Sequence, residues 1–401
     1  MGRRDQIVTA TLEKGVVEIA WGDGHRSRYP GVWFSRTPDF RKSLAGSPGP
    51  EAEIPAAAQP TELCITESGD LRLTWSGLEK PGVKMGNESQ HGAAWLRDHC
   101  PSQAERTRRR RHPILWDHGL RKNIPSENWD FLRTDPQAKL SCFEQLLDYG
   151  FCLLQKVPPQ EGQVLEVARL FGLVSPSPYA DDEAKPELEN IRVDPRVPVN
   201  TRKANFLAPH TDTCWRTSLS GLIYLHCLEA HSRGGETLLV DGFALAERLR
   251  KSGPDAFACL SQTPLSFSAN VSPEDQWQAM GKVITLDHDG AVAGIRYNRG
   301  SIQHFDLPLD LIEPLHRALC AWESCLMDED HWLRLTLSPG DLLVIDNHRV
   351  MHGRTAFDPS AGARHLQTCS TRRDEFHNRY RALARDLDPT CTIQDLVLGV
   401  T

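Results

Sequence analysis

The sequence predicts a mainly β chain with helices, in which a double-stranded β-helix (jelly-roll) domain follows a small β-rich N-terminal domain. Three observations predict it. Short runs rich in β-branched and aromatic residues recur between Gly, Pro and Asp turns. Helical stretches interrupt those runs without alternating with them one by one, which argues against a parallel α/β sheet. The first hundred residues also carry a weak internal echo of an aromatic strand-and-turn unit.

The echo comes first along the chain. VVEIAWGDGHRSRYPGVWF at 16–34 resembles LRLTWSG followed later by HGAAWLRDHC. In each copy an alternating strand ending at Trp21 or Trp75 leads through Gly-containing turns to a second aromatic segment with Trp33 or Trp95. Between the copies, SLAGSPGPEAEIPAAAQPTE at 43–62 is too poor in large apolar residues to bury much surface, so a mobile surface loop is expected. The stretch 106–125 is polar and irregular, as a linker partly wrapping the next domain would be. These features set a small β-rich domain over 1–120 and a larger domain over 121–401.

In the larger domain CFEQLLDYGFCLLQKV reads as helix then strand, and EGQVLEVARLFG as an amphipathic helix closed by Gly172. LSGLIYLHCLEA, ETLLVDGF, GKVITLDHDGAVAGIRYN and GDLLVIDNHRVMHGR read as strands. FALAERLRKSGPDAFACLS and LDLIEPLHRALCAWESCLM read as helical insertions. A chain of 401 residues with 39% hydrophobic and 25% charged residues has ample material for a packed core and is not disordered.

A net charge of −7 argues against bulk attraction to nucleic acid or anionic membrane, so any anion site must be local. The basic run Arg106 to Arg111 reads as a solvated face and is given no function. The 11 cysteines are scattered without a CxxC pair, which fits reduced thiols in the cytoplasm. No apolar stretch is long enough to span a membrane, no secretory leader develops, and Gln6 stands where a myristoylation signal needs Ser or Thr.

Chemistry concentrates in NFLAPHTDTCW and IDNHRVMHGR. His210 and Asp212 stand two apart, so on a strand both project from one face and can grip one ion. His352, just after the buried-looking run GDLLVID, supplies a second imidazole. Two His and one carboxylate leave coordination positions open, the arrangement suited to non-heme iron(II) that binds O2 and a co-substrate. The HxD pair alone is weak evidence; its order with GGET, HGR and RHL strengthens it. Arg364, on the strand expected after His352, offers a planar fork for a carboxylate, and Arg354 competes for that role from nearer the ligand. Thr237 in GGET can add a hydroxyl. His348 is the alternative ligand if the segment were helical, and His226, within YLHCL, is expected to be a satisfied core residue.

These residues, together with WLRDHC at 95–100, LHC before GGET, VDGF and YNRGS, resemble the γ-butyrobetaine and trimethyllysine hydroxylases of the broader TauD-like family, over nearly the whole length. The resemblance implies an enzyme in which iron(II) and the co-substrate 2-oxoglutarate react with O2, giving succinate and CO2 and placing a hydroxyl on an unactivated C–H bond of a small molecule. It favours Arg364 over Arg354 as the co-substrate anchor, disfavours halogenation because Asp212 is present, and suggests a homodimer.

Two departures bear on the substrate. The cysteine cluster that holds a structural zinc in the γ-butyrobetaine enzymes is replaced by VWFSRTPDF, so no structural zinc is expected. Of the aromatic positions that surround the trimethylammonium group in those relatives, Tyr179 matches, while the others fall on Glu183, Arg202 and Ser370. Arg202 would repel a fixed cation, whereas Trp215 or Trp277 could rebuild an aromatic wall. The expected substrate is therefore a different small polar metabolite, an amine, amino acid or phosphonate-like acid, with Asn298 and Arg299 near its anionic end. The alternatives are a trimethylammonium hydroxylase with a rebuilt cage, and a non-catalytic scaffold that binds metal or 2-oxoglutarate.

Overall fold

A computed structural model of the chain describes residues 4–37, 39–40, 56–78, 87–180, 182–192, 203–271 and 275–390. The described residues fall into two compact units that divide after Arg110.

The first unit is built twice from one pattern. Strands β1 (Ile7–Glu13), β2 (Val16–Trp21) and β3 (Arg26–Pro30) form one antiparallel sheet, and β4 (Gln59–Ile65), β5 (Leu71–Ser76) and β6 (Glu88–His91) form another. A short helix follows each third strand, Gly31–Phe34 in one copy and Ala93–Asp98 in the other. The echo has a physical basis: the indole N–H of Trp21 donates to Ser27 Oγ, and that of Trp75 donates to Ser89 Oγ, each at 2.8 Å. Both tryptophans can be buried because their polar edge is satisfied. Residues 43–55 of the expected loop lie outside the described residues, but Gln59–Glu62 at its end belongs to a strand.

The basic run differs from expectation. Arg106, Arg108 and Arg109 lie on a helix, Gln103–Arg109, where Arg108 pairs with Glu105 and Arg109 donates to Cys100 O at 2.8 Å. Arg111, in the second unit, grips Asp148 with two bonds of 2.6 and 2.8 Å. The run is structural rather than a solvated face.

The second unit mixes sheet and helix. Its strands are β7 (Ser126–Asn128), β8 (Phe151–Gln155), β9 (Val174–Ser175), β10 (Glu189–Ile191), β11 (Leu207–His210), β12 (Leu222–Ala230), β13 (Arg233–Gly234), β14 (Thr237–Asp241), β15 (Leu265–Asn270), β16 (Gln276–Gly281), β17 (Ile284–Leu286), β18 (Val292–Ile295), β19 (Leu333–Leu335), β20 (Leu342–Asp346), β21 (Val350–Arg354), β22 (Phe357–Asp358) and β23 (Arg364–Thr371). Among the described residues a larger sheet runs β10–β23–β12–β20–β8–β7, with β9 on β23, and a smaller one runs β11–β21–β14–β19.

Period-two alternation decides what each strand buries. Ile223, Leu225 and Cys227 of β12, Leu343 and Ile345 of β20, and Leu239 of β14 share one core cluster drawn from both sheets. The alternate residues Leu238 and Val240 of β14 face another cluster with the helices Gly242–Ser252, Pro254–Gln262 and Leu309–Leu326. On the larger sheet, Tyr224 meets Phe171 from the helix Gln163–Phe171, and Phe171 meets Phe143 and Phe376. Strands buried on both faces need apolar residues at successive positions, which is why LLVID reads as a continuous run rather than an alternating one. Each fully buried aliphatic side chain contributes about 1.5–3 kcal/mol.

Gly150 ends the helix Pro136–Tyr149 in the left-handed region, at φ +79°. A Cβ there would lie 2.7 Å from Val350 Cγ2 and 2.9 Å from Arg349 Cδ, so glycine is required twice over. No helix among the described residues is long and apolar enough to cross a membrane.

Candidate metal centre and cavity

The histidines meet through strand pairing. β11 runs antiparallel to β21 with His210 directly opposite His352, and their rings lie 4.9 Å apart. Asp212 follows β11 and shares the face of His210, while the residue between them, Thr211, points away and is buried against Tyr297, whose N–H it accepts at 2.9 Å. Thr213 then takes φ +57° and turns the chain, leaving the Asp212 carboxylate aimed back at the imidazoles. Its Oδ1 is 3.3 Å from His210 Nε2 and its Oδ2 3.5 Å from His352 Nε2.

Among the described residues these three are the His/Cys/Asp/Glu group whose ligand atoms converge closely enough, within 4.8 Å, to hold one ion. The donor set fits iron(II). His210 Nδ1 bonds the Ala208 carbonyl at 2.9 Å, which makes Nδ1 the protonated nitrogen and leaves the Nε2 lone pair for a metal. Burial alone would raise the Asp212 pKa, but His352 and His210 hold it far below the usual carboxylate range, so it is anionic and ready to ligate. The His210 pKa is raised: burial opposes its charged form, but the Asp212 carboxylate outweighs that. His348 sits in the turn between β20 and β21, where burial and then Arg373 push its pKa down to about 4, and it is not part of the group.

Asn347, fully buried, was not singled out by the sequence. Its Oδ1 accepts the Asp212 N–H at 2.8 Å, and its Nδ2 donates to the carbonyls of Asp212 at 3.1 Å and Ser220 at 3.0 Å. The same turn carries Arg349, which forms a buried bidentate pair with Asp241 at 3.1 and 2.9 Å and donates to two further carbonyls. This network fixes the end of β14 beside the start of β21.

The triad lines a cavity of about 600 Å³ together with Thr237, Arg354 and Arg364. Thr237 on β14 is paired with Arg354 on β21. Arg364 opens β23, and both guanidinium groups stack on Phe357, at 4.7 Å for Arg354 and 5.4 Å for Arg364. Arg354 is committed to the chain itself, donating to the carbonyls of Lys203 and Asn205. Burial and the neighbouring Arg364 lower its pKa to about 10. Arg364 makes only a long bond to Gly235 O, 3.4 Å, among the described residues. Its fork is the freer of the two.

Of the remaining sequence-derived positions, Tyr179, Trp215, Asn298 and Ser370 line the cavity. Burial, reinforced by Glu189 and Asp212, pushes the Tyr179 hydroxyl up to about 12, so it stays a phenol. Glu183 is exposed and outside the lining, Arg299 is exposed and faces Glu323 at 3.6 Å, and Arg202 lies outside the described residues. Arg216 and Glu189 line the cavity and were missed, because no sequence motif marks them. His226 is in the core as expected but is not satisfied there: both ring nitrogens are buried without a hydrogen-bond partner among the described residues, and burial lowers its pKa to about 4.

Residues 117–370 match the model of the taurine catabolism dioxygenase TauD, TfdA family. The chain belongs to that family. It is an iron(II)- and 2-oxoglutarate-dependent dioxygenase. The dioxygenase is 28% identical over 376 residues to a γ-butyrobetaine dioxygenase of Pseudomonas sp. (strain AK-1), covering 92% of this chain and 94% of that one. It is 26% identical over 390 residues to the γ-butyrobetaine dioxygenase of Homo sapiens, covering 93% and 95%. It is 28% identical over 348 residues to the mitochondrial trimethyllysine dioxygenase of Gallus gallus, covering 83% and 77%.

Proposed function

We propose that the dioxygenase hydroxylates an unactivated C–H bond of a small polar metabolite held beside a metal ligated by His210, Asp212 and His352. The observation that carries this is the convergence of three ligand atoms within 4.8 Å in the wall of a cavity that also presents Arg364. Bound iron(II), with 2-oxoglutarate and O2, supplies the oxidising power that converts C–H to C–OH while the co-substrate leaves as succinate and CO2.

The chain's own residues orient that chemistry. His210 and His352 present Nε2, Asp212 supplies the anion, and the remaining coordination positions stay available for co-substrate and O2. Arg364 takes the distal carboxylate of 2-oxoglutarate in its fork, with the Thr237 hydroxyl beside it. Arg354 holds the approach to β11 through the Lys203 and Asn205 carbonyls and adds positive potential. Tyr179, Trp215 and Asn298 bound the substrate end of the cavity.

We read the two sheets of the second unit as a double-stranded β-helix, a reading supported by their shared core and by a centre at one mouth between β11 and β21. We read the first unit as the counterpart of the N-terminal region of the γ-butyrobetaine dioxygenases, because alignment with the Pseudomonas enzyme spans 92% of this chain.

Anaerobic addition of 2-oxoglutarate to the Fe(II) protein should give a visible charge-transfer band, and admission of O2 with substrate should yield one succinate per hydroxylated product. A protein that binds neither metal nor 2-oxoglutarate would refute the proposal.

A further inference from the structure

The substrate end of the cavity contains a cation of its own. Trp215 and Tyr179, which line the cavity, meet edge-on at 6.4 Å, and Trp277 of β16, not itself in the lining, packs against Trp215 at 5.4 Å and extends the aromatic cluster. Faces of this kind attract a cationic ligand. Here the Arg216 guanidinium already covers them, 5.3 Å from the Trp215 ring and 4.8 Å from the Trp277 ring.

Arg216 is held in place and has no counter-ion among the described residues. Its N–H donates to Thr213 O at 2.9 Å, and Arg296 clamps the segment by donating to the carbonyls of Cys214, Arg216 and Thr217 at 3.2, 3.2 and 2.9 Å. Its Nε is buried without a hydrogen-bond partner, and no carboxylate pairs with it among the described residues. The two lining carboxylates are otherwise engaged: Asp212 faces both histidines, and Glu189 accepts from the Ser177 hydroxyl. Asn298 spends its Oδ1 on the Gly300 N–H, so its NH2 group is the part left to donate. A half-buried cation whose Nε is buried with no partner, beside further donors, is complementary to an anion.

Resting on the reading of this cavity as the substrate site, we infer that Arg216 determines specificity, selecting a substrate with a carboxylate, sulfonate or phosphonate group over one whose only charge is a quaternary ammonium. The cation–π sites that would hold such an ammonium are filled from within the chain.

The test is isothermal titration, under anaerobic conditions, of the Fe(II) and 2-oxoglutarate-loaded protein with four probes of similar length: pentanoate, 4-aminobutanoate, γ-butyrobetaine and pentyltrimethylammonium. Pentanoate and 4-aminobutanoate should bind at least about ten-fold more tightly than pentyltrimethylammonium, the ratio expected when a desolvated charge finds or lacks its partner. Arg216→Leu should erase that preference, weakening the three carboxylates and strengthening pentyltrimethylammonium, and Arg216→Lys should restore part of it. The inference is overturned if no anion binds more tightly than pentyltrimethylammonium, or if a folded Arg216→Leu protein keeps wild-type preference. The wild-type comparison decides alone if the variants do not fold. The charge-transfer band is read separately: its absence with anion preference intact would remove the hydroxylase reading and leave the anion site standing.

Discussion

Asp212 is two residues past the end of β11, outside the strand ladder, and Asn347 supplies a constraint there by bonding both its N–H and its carbonyl. Partners that orient a metal ligand typically affect affinity or activity by roughly 10–100-fold. Asn347→Ala should therefore weaken Fe(II) binding by about that factor, measured by anaerobic titration, and unchanged affinity would show that the strand alone positions Asp212. The two arginines separate by a similar logic. Among the described residues Arg364 makes only the long bond to Gly235 O, so Arg364→Lys, which keeps the charge but loses the fork, should raise the KM for 2-oxoglutarate by about 10–100-fold. Arg354→Lys should act mainly on stability, because that guanidinium serves backbone carbonyls. If the two variants exchanged these phenotypes, the assignment of the co-substrate anchor would be reversed.

At the scale of the element, the centre depends on how closely β11 approaches β21. Gly353 lies beside His352, and a Cβ on it would stand 2.5 Å from Leu207 O and 2.8 Å from Pro209 N, both backbone atoms that cannot rotate away. Gly353→Ala should force the strands apart, cost about 1–3 kcal/mol of stability, and weaken metal binding by separating His210 from His352. A variant that loses stability yet binds Fe(II) at wild-type affinity would show that the pairing tolerates the shift. The same elements explain what could be read in advance. His210 and Asp212 were legible as a pair because the period of a strand is local, and GDLLVID was legible because a strand buried on both faces is apolar throughout. The opposition of His210 and His352 is a register between distant segments, and the stacking of Arg216 on Trp277 depends on a hairpin and a loop meeting in space. Neither leaves a local pattern. Asn347 was hidden for a different reason: a buried asparagine in a turn looks like any turn asparagine until its partners are seen.

Over the whole molecule, the mixture of strands and helices and the duplicated first unit were readable from periodicity, whereas the response to acid follows only from burial. His226 on β12 is fully buried, and burial lowers its pKa from 6.5 to about 4. An unfolded chain takes up the proton near 6.5, but the folded one does not until about 4. Its contribution is therefore full above pH 6.5, is lost as the pH falls toward 4, and changes no further below that. A shift of this size corresponds to about 3 kcal/mol. His348, at about 4, and His377, at about 3, act in the same direction, but both are only half-buried and solvent screening reduces their effect. Asp346, whose pKa is lowered because Arg373 outweighs the cost of its burial, loses its contribution as the pH falls from 3.8 downward, so its window lies beneath that of His226. Thermal unfolding midpoints should thus fall between pH 7 and pH 4.5, above the window in which the Asp346 contribution is lost. His226→Gln, which cannot titrate, should be less stable at pH 7 but show a shallower decline. An equal decline in both proteins would mean that His226 is protonated in the folded state or that acid opens the sheet around β12 by another route.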